Sequence, residues 1–222
     1  MKRPVHPVDN AAYVPAPAHK APDASGAKKS DRTRERIVAA ALEVFLEKGF
    51  AETTIQDCAE RAGVGKGTVY YYVASKEELL TLVVDGAMGD FLAVMRSDLA
   101  GMDDPLERLR HLVSAHVATM SKGAPLWEAF HARPEAACPG LSARLAPHRG
   151  EYIEMLAGLI EEGRERGVIV ADDPQVTARL VAGTVMGAFF QWSKFDSATR
   201  PAPNPTAICD FVMRALANGG PR

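Results

Sequence analysis

Residues 34–80 read RERIVAAALEVFLEKGFAETTIQDCAERAGVGKGTVYYYVASKEELL, and their apolar periodicity, glycines and capping residues indicate a series of helices. Its first part carries apolar residues at the spacing i, i+3, i+4, i+7 and i+8, which places them on one helix face: Ile37, Ala40, Ala41, Val44 and Phe45. We therefore predict an amphipathic helix that begins at Asp31 and ends at Gly49, because a glycine after the last periodic residue is a common helix stop.

Two short helices and the start of a long one follow. Thr53 is expected to cap the second helix, with Gln56 completing a capping box three residues later. A glycine turn at residues 63–65 ends it, and a third helix of about two turns is predicted over Lys66–Tyr72. Residues 75–78 (Ser-Lys-Glu-Glu) form a second capping box that opens a long fourth helix. Short helices joined by a glycine turn are typical of a helix-turn-helix domain.

The third helix has two distinguishable faces. At 100° per residue, Val69 and Val73 point to the same side, which is therefore the buried face. Gly67 and Tyr71 lie opposite and are the candidates for reading base edges in a major groove, while Lys66 suits a base edge or a phosphate. Hydroxyl groups on the flanks suit phosphate contacts: Thr68, Tyr70 and Tyr72. The alternative is that the tyrosines only pack and that the lysines are solvated.

These motifs keep a fixed order along the chain: Gly-Phe at 49–50, Thr-Thr at 53–54, Ala-Gly-Val at 62–64, Gly-Thr-x-Tyr at 67–70 and Ser-Lys-Glu-Glu-Leu at 75–79. Over about residues 33–82 the sequence resembles the N-terminal DNA-binding domain of TetR/AcrR-type transcriptional regulators. The resemblance implies that Thr54 and Lys76, at the starts of neighbouring helices, clamp the DNA backbone. Lys76 is expected to lie outside the groove, where its ammonium can only neutralise a phosphate.

The remaining chain is predicted to be helical, with glycine and proline at the breaks. Helices are expected over about 105–120, around Leu126, Trp127 and Phe130, and over about 149–166, 174–195 and 205–217. No alternating stretch of four or more residues predicts a strand, so the fold class is all-α. The predicted organisation is a disordered Pro/Ala-rich basic tail, a helix-turn-helix domain, and a larger helical domain for effector binding and dimerisation: residues 1–30, 31–76 and 77–222.

Charge is distributed unevenly along the 222 residues. The formal net charge is −2, made of +3 over residues 1–30, −2 over 31–82 and −3 over 83–222. The basic run from Lys28 to Arg36 is either a solvated arm or an auxiliary DNA contact. The charge of −2 over residues 31–82 is consistent with an auxiliary contact, because DNA affinity depends on cationic side chains.

Several classes of protein are excluded or unsupported. No run of about 18 apolar residues is present, and the first residues lack the apolar core of a secretory signal, so we expect no membrane association and a cytoplasmic location. Cys58, Cys138 and Cys209 form no CxxC pair, and no HxxxH spacing occurs, so neither a disulfide scaffold nor a metal site is expected. The sequence contains no catalytic signature such as GxSxG or HExxH, and neither an enzyme nor a cofactor is predicted.

The resemblance implies that the second half dimerises and binds an effector. For the dimer interface we expect a small-residue surface at Gly183 and Gly187, with Ala182 and Ala188. A facing apolar helix would supply Tyr152, Met155, Leu156, Leu159 and Ile160. Large or polarisable residues are the candidates for an effector pocket: Met88, Phe91, Met95, His116, Met120, Trp127, Phe130, His131, Met155 and Phe189. In each case the alternative is ordinary packing within one subunit.

The expected function is that of a ligand-responsive, dimeric transcriptional repressor. It would bind double-stranded DNA at an inverted repeat, and a small apolar organic effector would change the separation of its recognition helices and release it. The alternative is a constitutive regulator or an architectural DNA-binding protein that has no effector.

Overall fold

The computed structural model describes residues 29–124, 126, 140–192, 195 and 204–217. The predicted tail as far as residue 28, together with Trp127, Phe130, His131 and Cys138, lies outside this part of the chain. Eight helices are found in it: α1 Lys29–Glu52, α2 Ile55–Ala62, α3 Lys66–Tyr72, α4 Lys76–Leu99, α5 Pro105–Lys122, α6 Leu141–Glu165, α7 Pro174–Gln191 and α8 Pro205–Leu216. The described residues contain no strand, only an isolated bridge between Ile169 and Ala217, so the all-α prediction is confirmed.

These residues divide into two compact units. The first unit comprises the described residues up to 93 and those within 123–150, and the second comprises 94–122 and those from 151 onwards. The core of the first unit is built by α1 to α4, and its fully buried side chains include Ile37, Val44, Phe45, Val69, Leu79 and Leu80. The predicted apolar face of α1 is therefore confirmed. Cys58 lies in the same core, where burial raises the pKa of its thiol to about 11.

The first helix begins at Lys29, two residues before the predicted start, and is interrupted at Gly49. This glycine has a φ of 76° and a ψ of 159°, a left-handed φ that side-chain-bearing residues rarely adopt. It breaks the helical path as predicted, although helical geometry resumes over the three residues that follow.

The predicted cap of α2 is wrong by one residue. Thr54, not Thr53, is the cap: its hydroxyl accepts from the Asp57 amide at 3.1 Å, and the Asp57 carboxylate accepts from the Thr54 amide at 2.8 Å. Thr53 is buried and donates its hydroxyl to the Gly49 carbonyl at 2.7 Å. Gln56, the expected partner of Thr53, bonds instead to Glu60 on the next turn. Each threonine is followed three residues later by a side chain that can accept from the cap amide, Gln56 or Asp57, and tertiary burial selects between the two threonines.

The other helix boundaries follow the predictions in part. At the start of α4, Ser75 Oγ accepts from the Glu78 amide as predicted, but the Glu78 carboxylate accepts from Ala74 rather than from Ser75. The α6 helix begins eight residues before the predicted start at residue 149 and contains Pro147, which lies outside the predicted range. The α7 helix starts at Pro174 as predicted, where the Asp173 carboxylate accepts from two amides, and ends four residues early.

In the second unit, the chain turns back after the carboxyl end of α6, and backbone hydrogen bonds stabilise this turn. The Gly163 carbonyl accepts from the amides of Val168 and Ile169 at 2.9 and 3.1 Å, and the Val170 amide donates to the Leu216 carbonyl at 2.9 Å. This turn folds the buried Ile169 side chain onto Gly163, so that a Cβ placed there would lie 2.7 Å from Ile169 Cγ1. The glycine is therefore needed for a close approach.

Replacing Gly163 with alanine is expected to lower the free energy of unfolding by about 1–3 kcal/mol, the usual cost of overpacking a closed site. Gly158→Ala is the matched control, because Gly158 lies in the same helix and its Cβ would meet nothing within 4 Å. That variant should be as stable as the wild type or more stable, by up to about 1 kcal/mol, since alanine favours helix. Urea unfolding measures both, and equal stabilities for the two variants would contradict the close packing.

Candidate nucleic-acid interface

The third helix presents the two faces that its sequence predicts. Val69 and Val73 are buried, which confirms the inward face. Tyr71 is 80% exposed and Tyr70 is 50% exposed. Gly67 is also exposed, and a Cβ there would meet nothing within 4 Å, so the backbone is open to a close approach. Among the described residues, no side chain covers the outward surface of α3, which is therefore an exposed aromatic ridge.

Tyr72 and Lys66, at the two ends of α3, have local contacts. Tyr72 is half-buried and packs against the first-unit core, and its hydroxyl lies 3.2 Å from Ser30 Oγ in the first turn of α1. Its ring meets the Tyr71 ring edge-on, with the centroids 5.1 Å apart. Lys66 Nζ lies 5.9 Å from the Tyr70 ring centroid, within the range of a cation–π contact. The side chains of α3 therefore include some that pack within the subunit and some that lie at its surface.

The Thr54 side chain lies next to the Asp57 carboxylate. Its hydroxyl donates to Asp57 Oδ2 at 2.8 Å, and the same carboxylate accepts from Lys48 Nζ at 2.7 Å. The Lys48 ammonium and the Thr54 hydrogen bonds hold the pKa of the Asp57 carboxyl well below its usual range, so this group is an anion at neutral pH. A phosphate that approaches Thr54 would therefore come close to the Asp57 carboxylate, which is a negative charge in the first turn of α2.

The expectation that the Lys76 ammonium can only neutralise a phosphate needs correction. Lys76 Nζ donates to the carbonyl oxygens of Phe50 at 2.8 Å, Ala51 at 3.3 Å and Thr53 at 2.7 Å, and it lies 4.4 Å from the Phe50 ring centroid. The three donors of an ammonium thus meet three acceptors within the chain. The sequence could not indicate this role, because the acceptors are backbone atoms 23–26 residues earlier.

Two family models match the chain. "Bacterial regulatory proteins, tetR family" matches residues 37–83, which contain α2 and α3, and "Tetracyclin repressor-like, C-terminal domain" matches residues 102–196. The chain belongs to the TetR family. The predicted resemblance is thereby confirmed, and the family consists of transcriptional regulators rather than enzymes.

Relatives of this TetR-family chain include proteins of known name. The fatty acid metabolism regulator protein of Bacillus subtilis is 25% identical over 185 residues, 83% of this chain and 93% of its own. The transcriptional repressor NicS of Pseudomonas putida is 31% identical over 158 residues, 66% of this chain and 70% of its own. The crystal structure of FadR from Bacillus subtilis in complex with stearoyl-CoA shares the fold, with a TM-score of 0.63, 24% identity, and coverage of 83% of this chain and 97% of that one.

The exposed face of α7 carries a line of apolar residues and glycines along its length, with exposed Arg179 beside it. Val176, Leu180, Gly183, Gly187 and Phe190 recur at the spacing i, i+4, i+7, i+11 and i+14, and Leu180 is 66% exposed. We call these five residues the α7 stripe. A Cβ on either glycine would meet nothing within 4 Å, so the stripe has a shallow centre. The sequence-based prediction included only the two glycines of this stripe, although the helical spacing of the other three residues is visible in the sequence.

The predicted contribution of α6 to a dimer interface needs correction. Tyr152, Leu156, Leu159 and Ile160 are all buried within the chain itself, so they pack inside one subunit rather than facing a second copy. Met155 is half-buried. Helical periodicity identifies an apolar face, but it does not identify which neighbour covers that face.

The candidate effector residues are mostly interior. Phe91 is buried and Met88 half-buried in the first unit. Met95, Met120 and Phe189 are buried in the second, where His116 and Met155 are half-buried. His116 Nδ1 lies 2.7 Å from the Tyr152 hydroxyl, and the two rings meet edge-on at 4.8 Å. Burial lowers the pKa of His116 to about 4 and raises that of Tyr152, so both are neutral at pH 7. Sequence analysis missed this pair because it assigned Tyr152 to the dimer interface.

The described residues hold neither a cluster of metal-ligating side chains nor a membrane-spanning helix. Within the described residues, no three histidine, cysteine, aspartate or glutamate side chains are grouped as a metal ion would need. The same part of the chain holds no helix with the length and apolar character required to cross a bilayer.

Proposed function

We propose that this TetR-family regulator is a homodimeric repressor that binds an inverted-repeat operator and is released from it by a small apolar effector. The observation that carries the DNA-binding part is the outward face of α3, where Tyr71 is 80% exposed directly opposite buried Val69 and Val73. A side chain so placed suits a major groove. Repression is favoured because NicS, 31% identical, is named a transcriptional repressor.

In this proposal residues 31–76 bind DNA, and residues 77–222 bind the effector and dimerise. Gly67 and Tyr71 face the bases, and Lys66 reaches a base edge or a phosphate. Hydroxyl groups on the flanks and at the start of α2 contact phosphates: Thr54, Thr68, Tyr70 and Tyr72. Tyr70 is half-exposed and suits this role best, whereas Thr54 and Tyr72 already share their hydroxyls with neighbouring side chains.

Dimerisation is supported by the α7 stripe. An apolar helix face with glycines at its centre lets a second copy of the same helix approach closely, and exposed leucine and phenylalanine supply area to bury. Each chain has one recognition helix, so a two-fold dimer presents two of them and requires two half-sites in inverted orientation.

The effector is proposed to be apolar because the candidate residues are mostly methionine and aromatic, with the neutral His116–Tyr152 pair as a polar element. A relative of the same fold has been solved with stearoyl-CoA, so a screen should include long-chain acyl compounds. Thermal unfolding would be measured with each compound, and those that raise Tm would then be tested for release of the operator. If no compound does either, the constitutive or architectural alternative is favoured. Release by ions or nucleotides alone would contradict an apolar effector.

Tyr71→Ala tests base reading by α3. The operator is first selected from a random DNA library, and affinity for it and for a scrambled duplex is then titrated against salt. We expect a loss of about 1–3 kcal/mol on the operator, little change on the scrambled duplex, and an unchanged salt slope.

Tyr70→Ala is the matched contrast to this variant. It should weaken both duplexes about equally, because a hydroxyl–phosphate contact carries no sequence information. Equal losses on both duplexes for Tyr71→Ala would instead place Tyr71 on the DNA backbone and contradict the assigned face.

A further inference from the structure

The spacing within the α7 stripe is symmetric about residue 185. Leu180 and Phe190 lie five residues to either side of Val185, and Gly183 and Gly187 lie two residues to either side. Val185 itself is fully buried, and at 100° per residue these four positions lie within about 40° of the direction opposite to it. The exposed face of α7 therefore has glycines at its centre and one large apolar side chain about 7.5 Å from the centre in each direction.

A second copy of α7 that runs antiparallel to the first fits this symmetric face. A two-fold contact uses the same surface on both subunits, so an antiparallel pairing brings together residues that lie equally far before and after the crossing point. A crossing at Val185 brings Leu180 to the level of the partner's Phe190, and Gly183 to the level of the partner's Gly187. The glycines let the two backbones approach closely. The exposed Leu180 and Phe190 side chains can then reach across the contact.

Charge beside the stripe favours the antiparallel direction over the parallel one. A parallel two-fold pairing would bring every residue to the level of its own copy, so that the exposed Arg179 would lie next to the partner's Arg179. Like charges that face each other across an interface are unfavourable. In the antiparallel pairing each arginine is six residues from the crossing point, so the two lie about 18 Å apart along the helices, where salt screens their repulsion.

We propose that the two-fold axis of the dimer crosses α7 at Val185, and that Leu180 of each copy packs against the partner's Phe190. This arrangement rests on the proposed dimerisation and adds to it the direction and the register of the contact. The occupant of the stripe is a second copy of the chain, because an isologous contact must be self-complementary and a spacing that is symmetric about one residue meets that condition. Each dimer then contains the leucine–phenylalanine contact twice.

A charge swap within one chain tests the register. Leu180→Glu and Phe190→Lys should each raise the Kd of the dimer about 100-fold or more, because each places an unpaired charge in an apolar interface. In the double variant each new carboxylate lies beside a new ammonium of the partner, so its dimer should be about tenfold tighter than that of either single variant. Within one chain the two positions are about 15 Å apart, too far to pair. Sedimentation at low and high salt measures the Kd, and the recovered dimer should weaken as salt screens the new pairs.

Leu180→Glu/Phe211→Lys is the matched control, because it introduces the same two charges but places the ammonium on α8, outside the stripe. It should dissociate as readily as Leu180→Glu alone. Thermal unfolding checks that each variant is folded, and the reversed swap, Leu180→Lys/Phe190→Glu, should recover the dimer equally.

The outcomes separate the register from the proposed dimer. If neither swap recovers the dimer, if the Phe211 control recovers it equally, or if Phe190→Lys alone leaves a stable dimer, the register is overturned while dimerisation through the stripe stands. Stable dimers for Leu180→Glu and Phe190→Lys alike overturn both the register and the proposed interface. A wild-type monomer at every concentration also overturns both.

Discussion

Replacing Lys76 with methionine is expected to lower the free energy of unfolding of the DNA-free protein by about 2–3 kcal/mol while leaving the salt slope of DNA binding unchanged. The ammonium donates to three carbonyls, and those of Phe50 and Thr53 are part-buried. Hydrogen bonds to charged groups contribute about 1.5–3 kcal/mol each, and water entering the site offsets part of the loss. Methionine keeps an apolar stem in place, so the change in the free energy of unfolding reports the loss of the ammonium group.

Lys66→Met is the matched control for this variant. Lys66 is exposed, and its ammonium lies over the Tyr70 ring. Its replacement should leave stability within about 0.5 kcal/mol of the wild type, as is usual for surface substitutions, and should make the salt slope shallower. Urea unfolding and a salt titration on one duplex measure both properties. Wild-type stability and a shallower slope for Lys76→Met would return Lys76 to the role of a phosphate clamp.

The second large effect is expected from Leu180→Glu in the α7 stripe. Leu180 is 66% exposed in the single chain, so the fold of the subunit should tolerate the change. In the proposed dimer, the same position would place an unpaired carboxylate in an apolar interface, which is strongly unfavourable. We expect a monomer in sedimentation and a loss of operator affinity of about 100-fold or more, because linked binding of two half-sites is lost. Gly187→Leu should loosen the dimer by filling the shallow centre of the stripe.

Phe211→Glu is the control for a new surface charge. Phe211 is 60% exposed on α8 and lies outside the stripe, and the change is again from a large apolar residue to glutamate. This variant should remain a dimer and bind the operator like the wild type. Sedimentation that shows a stable dimer for Leu180→Glu, or a monomeric wild type that binds one palindrome tightly, would contradict the proposed interface.

Local patterns predicted the parts of the fold that depend on neighbours in sequence. The i, i+4 pair Val69 and Val73 fixed the orientation of α3, and Tyr71 is exposed as that orientation requires. The cap of α2 was displaced by one residue because Thr53 and Thr54 are equivalent as sequence signals. Only the burial of Thr53 decides between them.

Interactions between segments that lie far apart along the chain could not be predicted from the sequence. A lysine at the start of a helix is the residue type expected for a phosphate contact at the surface. The partners of Lys76 are backbone carbonyls, which no residue type in the sequence indicates. Tyr152 lies on an apolar helix face as predicted, but it is buried within the subunit, where its hydroxyl lies 2.7 Å from His116 Nδ1. Leu180 and Phe190 were visible at helical spacing beside the glycines. Their exposure, which makes them candidates for an interface, depends on the packing of the whole subunit.

The Lys76 contacts also close a loop in the chain. The ammonium joins residue 76 to carbonyls at residues 50, 51 and 53, so α2 and α3 both lie within a segment whose two ends are pinned together. Pinning the ends reduces the conformational entropy that the segment could gain by local unfolding. The recognition helix should therefore open together with α2, as one cooperative unit, rather than fray alone from its seven residues. In native-state hydrogen exchange, the amides of the two helices would share one opening free energy. Loss of the Lys76 contacts would lower this free energy for both helices.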